Sequence, residues 1–242
     1  MILAAGFIWA FWIAKPDLDK TYRIGTDRVF PYHDVDANGD PRGFVAEVLS
    51  VAAKRSGVKL EWKPTTKGMV QALRDKDVDI WPLVSTDLSR TNPGFHLTAP
   101  WLNNDYAFVA LNSTFRSPSN AGLATRGIEA LKLEHFPNAR LVPVAARNEA
   151  IEAVCGGEAD GAIVELRVAH YYLAVPPRGC AGKVPCFIGL TFRKEQMVTA
   201  SNLDAAPIAD LLRSEIGVMA EDGTLDRMLL PWAYYQTEEI RD

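Results

Sequence analysis

The sequence lacks the features typical of proteins that bind nucleic acid or metal ions, and it contains no familiar catalytic motif. Its 242 residues carry 26 Lys and Arg against 30 Asp and Glu, a formal net charge of −4. Because no general basic field exists, DNA and RNA are poor partners. No GxSxG, HExxH, P-loop or GxGxxG motif occurs, and the four histidines show no metal-site spacing. We therefore expect no cofactor, no metal and no catalytic residues, although catalytic groups that meet only in space stay possible.

Long hydrophobic runs are missing except at the start of the chain. Residues 1–14 read MILAAGFIWAFWIA, without a charge until Lys15. About 20 apolar residues are needed to cross a bilayer, so this run is too short to span one alone. It is typical of a signal-peptide core or of the outer end of a membrane anchor, and a buried first helix is the alternative. We take residues 1–15 as a signal- or anchor-like segment and expect location in the periplasm or at the extracellular face.

Cysteine is scarce, with three residues in all. Cys180 and Cys186 flank a short loop, CAGKVPC, and such spacing suits a disulfide in an oxidising compartment. A zinc site and a pair of reduced thiols are the competing interpretations. Cys155 falls in a helical pattern, where it is expected to act as a small buried apolar residue.

After Pro16 the chain alternates short apolar runs with helical patterns, which favours an α/β fold with parallel sheets flanked by helices. The first series is predicted to comprise strands at Tyr22–Thr26, Val58–Trp62 and Val78–Val84 and helices at Phe44–Ser56 and Met69–Asp75. The second series is predicted to comprise strands at Tyr106–Leu111, Leu141–Val144, Gly161–Val164 and Phe187–Phe192 and helices at Ile128–His135, Asn148–Val154 and Leu166–Leu173. Helical segments around Ala206–Met219 and Thr224–Trp232 close the chain.

Two similar β/α series predict two lobes with a cleft between them. We assign residues 20–105 and 192–235 to lobe 1 and residues 106–191 to lobe 2. Two crossing segments, near Trp101–Phe108 and Phe187–Arg193, would join the lobes as a hinge. Clefts between α/β lobes are favoured sites for small molecules.

Polar residues at the ends of predicted strands are the candidate ligand-binding groups. Arg90, in the loop after the strand DIWPLV, offers a bidentate fork to a carboxylate, and Ser85 and Thr86 offer hydroxyls beside it. Glu165 ends a predicted strand and could pair with a ligand ammonium. A solvated surface arginine and an exposed strand-end acid are the plain alternatives for Arg90 and Glu165.

Aromatic residues near the first strand are a further candidate group. Phe30 and Tyr32 follow that strand in a loop with Pro31, where their rings could wall a site or stack on a cation. Core packing is the competing interpretation, and we favour it for Trp81.

Several short motifs together resemble the family 3 extracellular solute-binding proteins, which have the type II periplasmic binding fold. RIGTD at Arg23–Asp27 with the following aromatic loop, the Gly43-Phe44 pair, ALRDKDVDI, LTAPW at Leu97–Trp101 and EAIEAVCGGEADGAIVE carry this resemblance. It runs from about Tyr22 to Trp232. Each motif is weak alone, and their order and spacing make the resemblance specific.

The resemblance implies a role for each matching residue. Phe30 would form an aromatic wall, Thr86 and Arg90 would hold a ligand carboxylate, and Glu165, at the position of the usual aspartate, would hold an amino group. Backbone N–H groups around Thr125–Gly127 would add donors for an anion. The complete predicted ligand-binding set is Asp27, Phe30, Tyr32, Ser85, Thr86, Arg90, Arg126 and Glu165.

Departures from the family pattern make the ligand harder to predict. Thr86 lies four residues before Arg90 instead of three, and Thr66 and Lys67 stand where a second aromatic is usual. Arg126 adds a cation that could favour a more acidic ligand or block the site.

Three functions fit the sequence. The first is binding of an amino acid or related small carboxylate for ABC-type uptake, with a membrane permease as partner. The second is a ligand-sensing domain of a membrane-anchored histidine kinase or diguanylate cyclase. The third is a dehydratase-like or lyase-associated enzyme on the same fold. A binding protein that is not an enzyme is the preferred expectation.

Overall fold

The computed structural model describes residues 16–27, 29–86, 94–111, 122–125, 136–144 and 147–232. The predictions for residues 1–15, Arg90, Arg126 and the helix Ile128–His135 lie outside the described residues. The strands are β1 (Thr21–Thr26), β2 (Asp34–Val35), β3 (Pro41–Arg42), β4 (Lys59–Pro64), β5 (Ile80–Ser85), β6 (His96–Leu97), β7 (Leu102–Leu111), β8 (Gly122–Thr125), β9 (Arg140–Pro143), β10 (Gly161–Glu165) and β11 (Pro185–Ser201). The helices are α1 (Phe44–Ser56), α2 (Met69–Arg74), α3 (Arg147–Gly156), α4 (Leu166–Ala174), α5 (Ala206–Glu221) and α6 (Thr224–Leu229), with short 3₁₀ turns at Arg178–Cys180, Leu203–Ala205 and Leu230–Trp232.

One continuous sheet runs through the molecule in the order β4-β1-β5-β11-β7-β10-β8-β9, with β6 paired to β11. Strands β4, β1 and β5 are mutually parallel and form the first half of the sheet. Strands β10, β8 and β9 are also mutually parallel and form the second half. The antiparallel strands β7 and β11 lie between the two sets and pair with each other.

Strands β7 and β11 belong to both halves of the sheet. Residues 102–104 of β7 pair with residues 195–197 of β11, and residues 106–111 pair with residues 185–190, with a register shift between the two stretches. Strand β5 pairs with the later part of β11, and β10 pairs with the later part of β7. The change of partner falls close to the predicted lobe boundaries, which themselves stay a prediction.

The parallel strands of both halves end near the middle of β7 and β11. Ser85, the last residue of β5, pairs with Met197, and Glu165, the last residue of β10, pairs with Tyr106. Because ligand-binding loops follow the carboxyl ends of parallel strands, the two sets of loops face one common region.

Helix α1 forms where the sequence places apolar residues on one helical face. Phe44, Val45, Val48, Leu49 and Ala52 are all buried. The helix ends at Gly57, whose φ of 74° lies in the left-handed region that glycine adopts without strain. The buried face packs against α5, so the last third of the chain completes the first half of the molecule.

The described cysteines pair differently from the sequence prediction. The disulfide joins Cys155 and Cys180, with Cα atoms 5.1 Å apart, and Cys186 is a free thiol. The predicted pair Cys180–Cys186 is therefore wrong, and so is the assignment of Cys155 as a simple apolar residue. The reason is that the turn carrying Cys180 packs on the end of α3, whereas Cys186 lies on β11 with its Sγ 3.3 Å from the carbonyl oxygen of Ala110.

Among the described residues, no helix combines the length and apolar character needed to cross a membrane. The helices pack on the sheet and on each other instead. The largest fully buried side chains come from α1, α2, α3 and α5 and from the parallel strands β1, β5, β8 and β10.

Candidate functional site

A small cavity of about 80 Å³ lies where the loops of the two halves meet. That volume is room for only a few water-sized groups. Its walls combine carboxylates, a guanidinium and an imidazole with apolar side chains. The lining residues are Asp27, Val29, Tyr32, His33, Trp81, Leu83, Asn104, Arg147, Glu165 and Met197.

Arg147 and Glu165 form an ion pair inside this cavity. Nε of Arg147 donates to Oε1 of Glu165 over 3.0 Å, and the two side chains are 20% and 7% exposed. Burial alone would lower the pKa of Arg147, but the negative charges of Glu165 and Asp27 outweigh it and raise that pKa. Arg147 therefore stays charged while it is largely removed from solvent.

The secondary structure fixes the position of both partners. Glu165 ends β10 and is also the residue that precedes the first turn of α4, so its carboxylate lies near a helix N-terminus, which favours negative charge. Arg147 is the first residue of α3, which follows the parallel strand β9. Both therefore project from the carboxyl edge of the second half of the sheet.

Two carboxylate oxygens in the cavity have unused hydrogen-bonding capacity. Oδ1 of Asp27 and Oε2 of Glu165 are both buried and have no hydrogen-bond partner within the described part of the chain. Asp27 directly follows β1 in the first half, so the two acids approach from opposite sides. Because buried polar atoms are nearly always paired in native proteins, these oxygens are suited to a donor from outside the chain.

Asn104 connects the cavity to both halves. Its Oδ1 accepts a hydrogen bond of 2.6 Å from the hydroxyl of Tyr32 and lies 3.5 Å from a terminal nitrogen of Arg167. Arg167 also donates to the backbone carbonyl of Asn103. A loop of the first half and α4 of the second half therefore meet on one buried side chain of β7.

His33 is the buried imidazole of the cavity wall. Its Nδ1 lies 2.9 Å from the hydroxyl of Thr26, and 3% of the residue is exposed. Burial, followed by the nearby charge of Arg147, lowers the pKa of His33 to about 3, against a smaller raising effect of Asp34. His33 is consequently neutral near pH 7 and contributes hydrogen-bonding capacity without charge.

Of the predicted site residues, the structure brings Asp27, Tyr32 and Glu165 together in the cavity lining. Phe30 instead packs its ring edge to face on Tyr171, with ring centres 4.8 Å apart, and also contacts Trp232. Its ring therefore joins a loop of the first half to α4 of the second, outside the cavity lining.

Ser85 and Thr86 also lie beside the cavity, outside its lining. The hydroxyl of Ser85 donates to Oε1 of Glu195 over 2.6 Å, and the backbone N–H of Thr86 donates to the carbonyl of Gln196. These bonds fix the end of β5 against β11. Arg90 and Arg126 lie outside the described residues, so their roles stay predictions.

Arg147, Asn104 and His33 are the polar lining residues that the sequence prediction missed. One signal for Arg147 was available, because a basic residue in the first turn of a helix opposes the helix dipole. Such local conflicts tend to mark functional positions. The sequence pattern gave no sign of Asn104, since it lies in a polar stretch, Asn103–Asp105, just before the predicted strand Tyr106–Leu111.

The fold has clear counterparts among known structures. An ancestral arginine-binding protein bound to arginine matches with a TM-score of 0.73 at 20% identity, over 88% of this chain and 97% of that one. A histidine kinase sensor domain with similarity to periplasmic binding proteins matches with a TM-score of 0.76 at 19% identity, over 89% and 96%. The ancestral amino acid-binding protein AncCDT-1, a precursor of cyclohexadienyl dehydratase, matches with a TM-score of 0.72 at 22% identity, over 88% and 95%.

These likenesses confirm the predicted two-lobed periplasmic-binding fold. None of the curated proteins matches the chain. In contrast, the family described as bacterial extracellular solute-binding proteins, family 3, matches residues 22–234, which is nearly all of the chain after its apolar start. With the predicted order of motifs, the two sets of parallel strands and the cavity between them all agreeing, the chain belongs to the family 3 bacterial extracellular solute-binding proteins.

Proposed function

We propose that the cavity binds a small polar solute, an amino acid or a related small carboxylate, outside the cytoplasm. One observation carries this proposal: a guanidinium, Arg147, shares the cavity with two acids that each keep a buried oxygen without a partner among the described residues. Opposite charges at short range suit a solute that has an acceptor at one end and N–H or O–H donors at the other.

The donors and acceptors of such a solute have defined places in this proposal. The terminal nitrogens of Arg147 make no hydrogen bond to a described residue, so they can donate to a solute carboxylate. Oε2 of Glu165 and Oδ1 of Asp27 can accept hydrogens from an amino or hydroxyl group. Arg90, as predicted from the sequence, would add a second guanidinium on the side of the first half.

Hinge motion between the halves would control access. Strands β7 and β11 carry the backbone between the two halves, and their register shift falls beside the cavity. Domain closure about a few such residues is a common response to a ligand held between lobes. The solute shifts the population toward the closed form only by its stronger binding to that form.

Uptake and sensing are two uses of the same binding event. Delivery to a membrane permease is the use we favour, because the amino acid-binding neighbours and the family both consist of binding proteins. The similarity to a histidine kinase sensor domain supports sensing through a membrane-linked signalling module as the second candidate. We propose a binding role and no catalysis for either use.

A thermal-unfolding screen tests the proposal. The purified protein is heated with single amino acids, hydroxy acids and small mono- and dicarboxylates, and a ligand that binds only the native state raises the melting temperature. We expect at least one such solute to raise it, with calorimetry confirming one site per chain. No stabilisation by any member of the panel would contradict the proposal, and conversion of the bound solute to a product would contradict the absence of catalysis.

A further inference from the structure

The cavity already contains a basic group that belongs to the chain itself. Arg147 lines the cavity together with Asp27 and Glu165, is charged, and interacts electrostatically with both acids. It hydrogen-bonds only Glu165 among the described residues, through Nε. The guanidinium thus lies with acids from both halves of the molecule and is held by one of them.

Two carboxylates in a space this small need a cation. Like charges that share a buried site repel each other, and removing a carboxylate from water without a partner is costly. Arg147 supplies the only cationic side chain among the described lining residues, since His33 is neutral. The same place would suit the ammonium or guanidinium group of a solute with a basic side chain.

We propose that Arg147 is a tethered cation that fills the subsite for a basic side chain beside Asp27 and Glu165, and leaves Oε2 of Glu165 and Oδ1 of Asp27 for the amino group of the solute. The chain therefore selects small solutes without a cationic side chain, and truncation of Arg147 opens the subsite to guanidinium compounds. The solute class rests on the proposed function, whereas the cation subsite rests only on Arg147 and the two acids.

Chemical rescue tests this assignment. Arg147→Ala is heated with methylguanidinium chloride or with sodium chloride at the same ionic strength. We expect methylguanidinium, at about ten times its Kd, to raise the melting temperature of this variant by about 3–6 °C relative to sodium chloride. Wild type should show no such difference, because its own guanidinium occupies the subsite.

A matched surface variant and a double variant control the experiment. Arg55 pairs with Asp222 and Glu215 at the surface. Arg55→Ala therefore also removes an arginine that pairs with two acids, but it creates no enclosed subsite. It should gain no stabilisation. Arg147→Ala combined with Glu165→Gln should lose most of the rescue, because one of the two acids is then neutral.

The outcomes separate the two proposals. Equal shifts in Arg147→Ala, in wild type and in Arg55→Ala, or no shift in a folded Arg147→Ala, would overturn the tethered-cation assignment. If Arg147→Ala does not fold even with methylguanidinium, Arg147→Gln replaces it in the experiment. A rise in the melting temperature of that variant with methylguanidinium then supports the assignment, and no rise overturns it. A wild type that binds no solute of the screening panel would overturn the proposed function and leave the rescue result standing.

Discussion

The hydroxyl of Ser85 donates a 2.6 Å hydrogen bond to Oε1 of Glu195, which ties the last residue of β5 to the strand that crosses between the halves. The other oxygen of Glu195 accepts from the hydroxyl of Tyr106 on β7. Burial and the charge of Glu195 raise the pKa of Tyr106, so its proton stays in place to donate. One carboxylate therefore holds three strands together beside the cavity.

Replacing Glu195 with Ala should lower the free energy of unfolding by about 1–3 kcal/mol, because two partly buried hydroxyls lose their acceptor. Chemical denaturation measures the change. Gln196→Ala is the matched control, since its side chain is exposed on the same strand, and it should change stability by less than about 0.5 kcal/mol. Equal effects of the two substitutions would contradict a specific role for Glu195.

Stability should fall as the solution becomes acidic through His33. The pKa of His33 is about 3 in the folded protein and about 6.5 when unfolded, so the unfolded state binds the extra proton between these values. The contribution is present above pH 6.5 and is lost as the pH falls toward 3. Between pH 7 and pH 5 the expected loss of unfolding free energy from this group is about 2 kcal/mol.

Denaturation curves for wild type and His33→Gln at several pH values check this expectation. The variant should show a flatter dependence on pH over that range. His170→Gln serves as the comparison. Partial burial and then the charge of Arg167 also lower the pKa of His170, but this residue, on α4, is more exposed than His33. A His33 variant with the pH dependence of wild type would contradict the argument.

The disulfide offers a test by protein chemistry. Peptide mapping without reduction should find Cys155 joined to Cys180, and iodoacetamide should label Cys186 alone in the unfolded, unreduced protein. The bond spans 25 residues, so reduction should lower the unfolding free energy by about 3 kcal/mol. Cys186→Ser should keep both the bond and the stability, and a peptide joining Cys180 to Cys186 would contradict the assignment.

Close packing of β10 on β7 predicts a severe effect of one methyl group. A Cβ on Gly161 would come within 2.3 Å of the ring of Phe108. Gly161→Ala should therefore lower the unfolding free energy by about 1–3 kcal/mol, as measured by denaturation. Gly156→Ala, where the nearest atoms lie 3.8 Å or more from the added Cβ, should be neutral or stabilising.

Glu165→Gln should weaken the binding of solutes that carry an amino group more than the binding of solutes that lack one. The variant loses the charge that would hold an ammonium, and a charged hydrogen bond contributes enough that its loss raises Kd about tenfold or more. Calorimetry with an amino acid and its hydroxy-acid analogue makes the comparison. Glu61→Gln, a surface acid paired with Lys63, is the matched control. Equal losses for both solutes would contradict contact between Glu165 and the amino group.

Much of the fold could be predicted because its pattern is local. Helix α1 has the predicted bounds, since its apolar face and the glycine that ends it are visible within one short segment. Strand β5 begins at Ile80, two residues after its predicted start. Strand β11 is much longer than predicted, 17 residues. The charged residues 193–195 interrupt its apolar pattern, and its pairing with β5 and β7 depends on residues distant in sequence.

The site was less predictable because its partners are far apart in the chain. Asp27 and Glu165 could be chosen from their places at strand ends, but their meeting with Arg147 depends on how the halves approach. The cysteines show the same limit. Cys180 and Cys186 are close in sequence, yet the turn that holds Cys180 packs against the end of α3, where Cys155 lies, and Cys186 lies in the sheet.

The pairing of β5 with β11 makes the order of synthesis matter for folding. Residues 80–85 need residues 197–201 as strand partners, and α1 needs α5 to cover its apolar face. While the chain is still growing, the first half must therefore keep buried-type side chains such as Ile80 and Leu49 exposed until nearly the whole length has emerged. Contacts so distant in sequence slow folding and prolong the period in which the nascent chain can aggregate. A chain that completes its core so late stays unfolded for most of its synthesis.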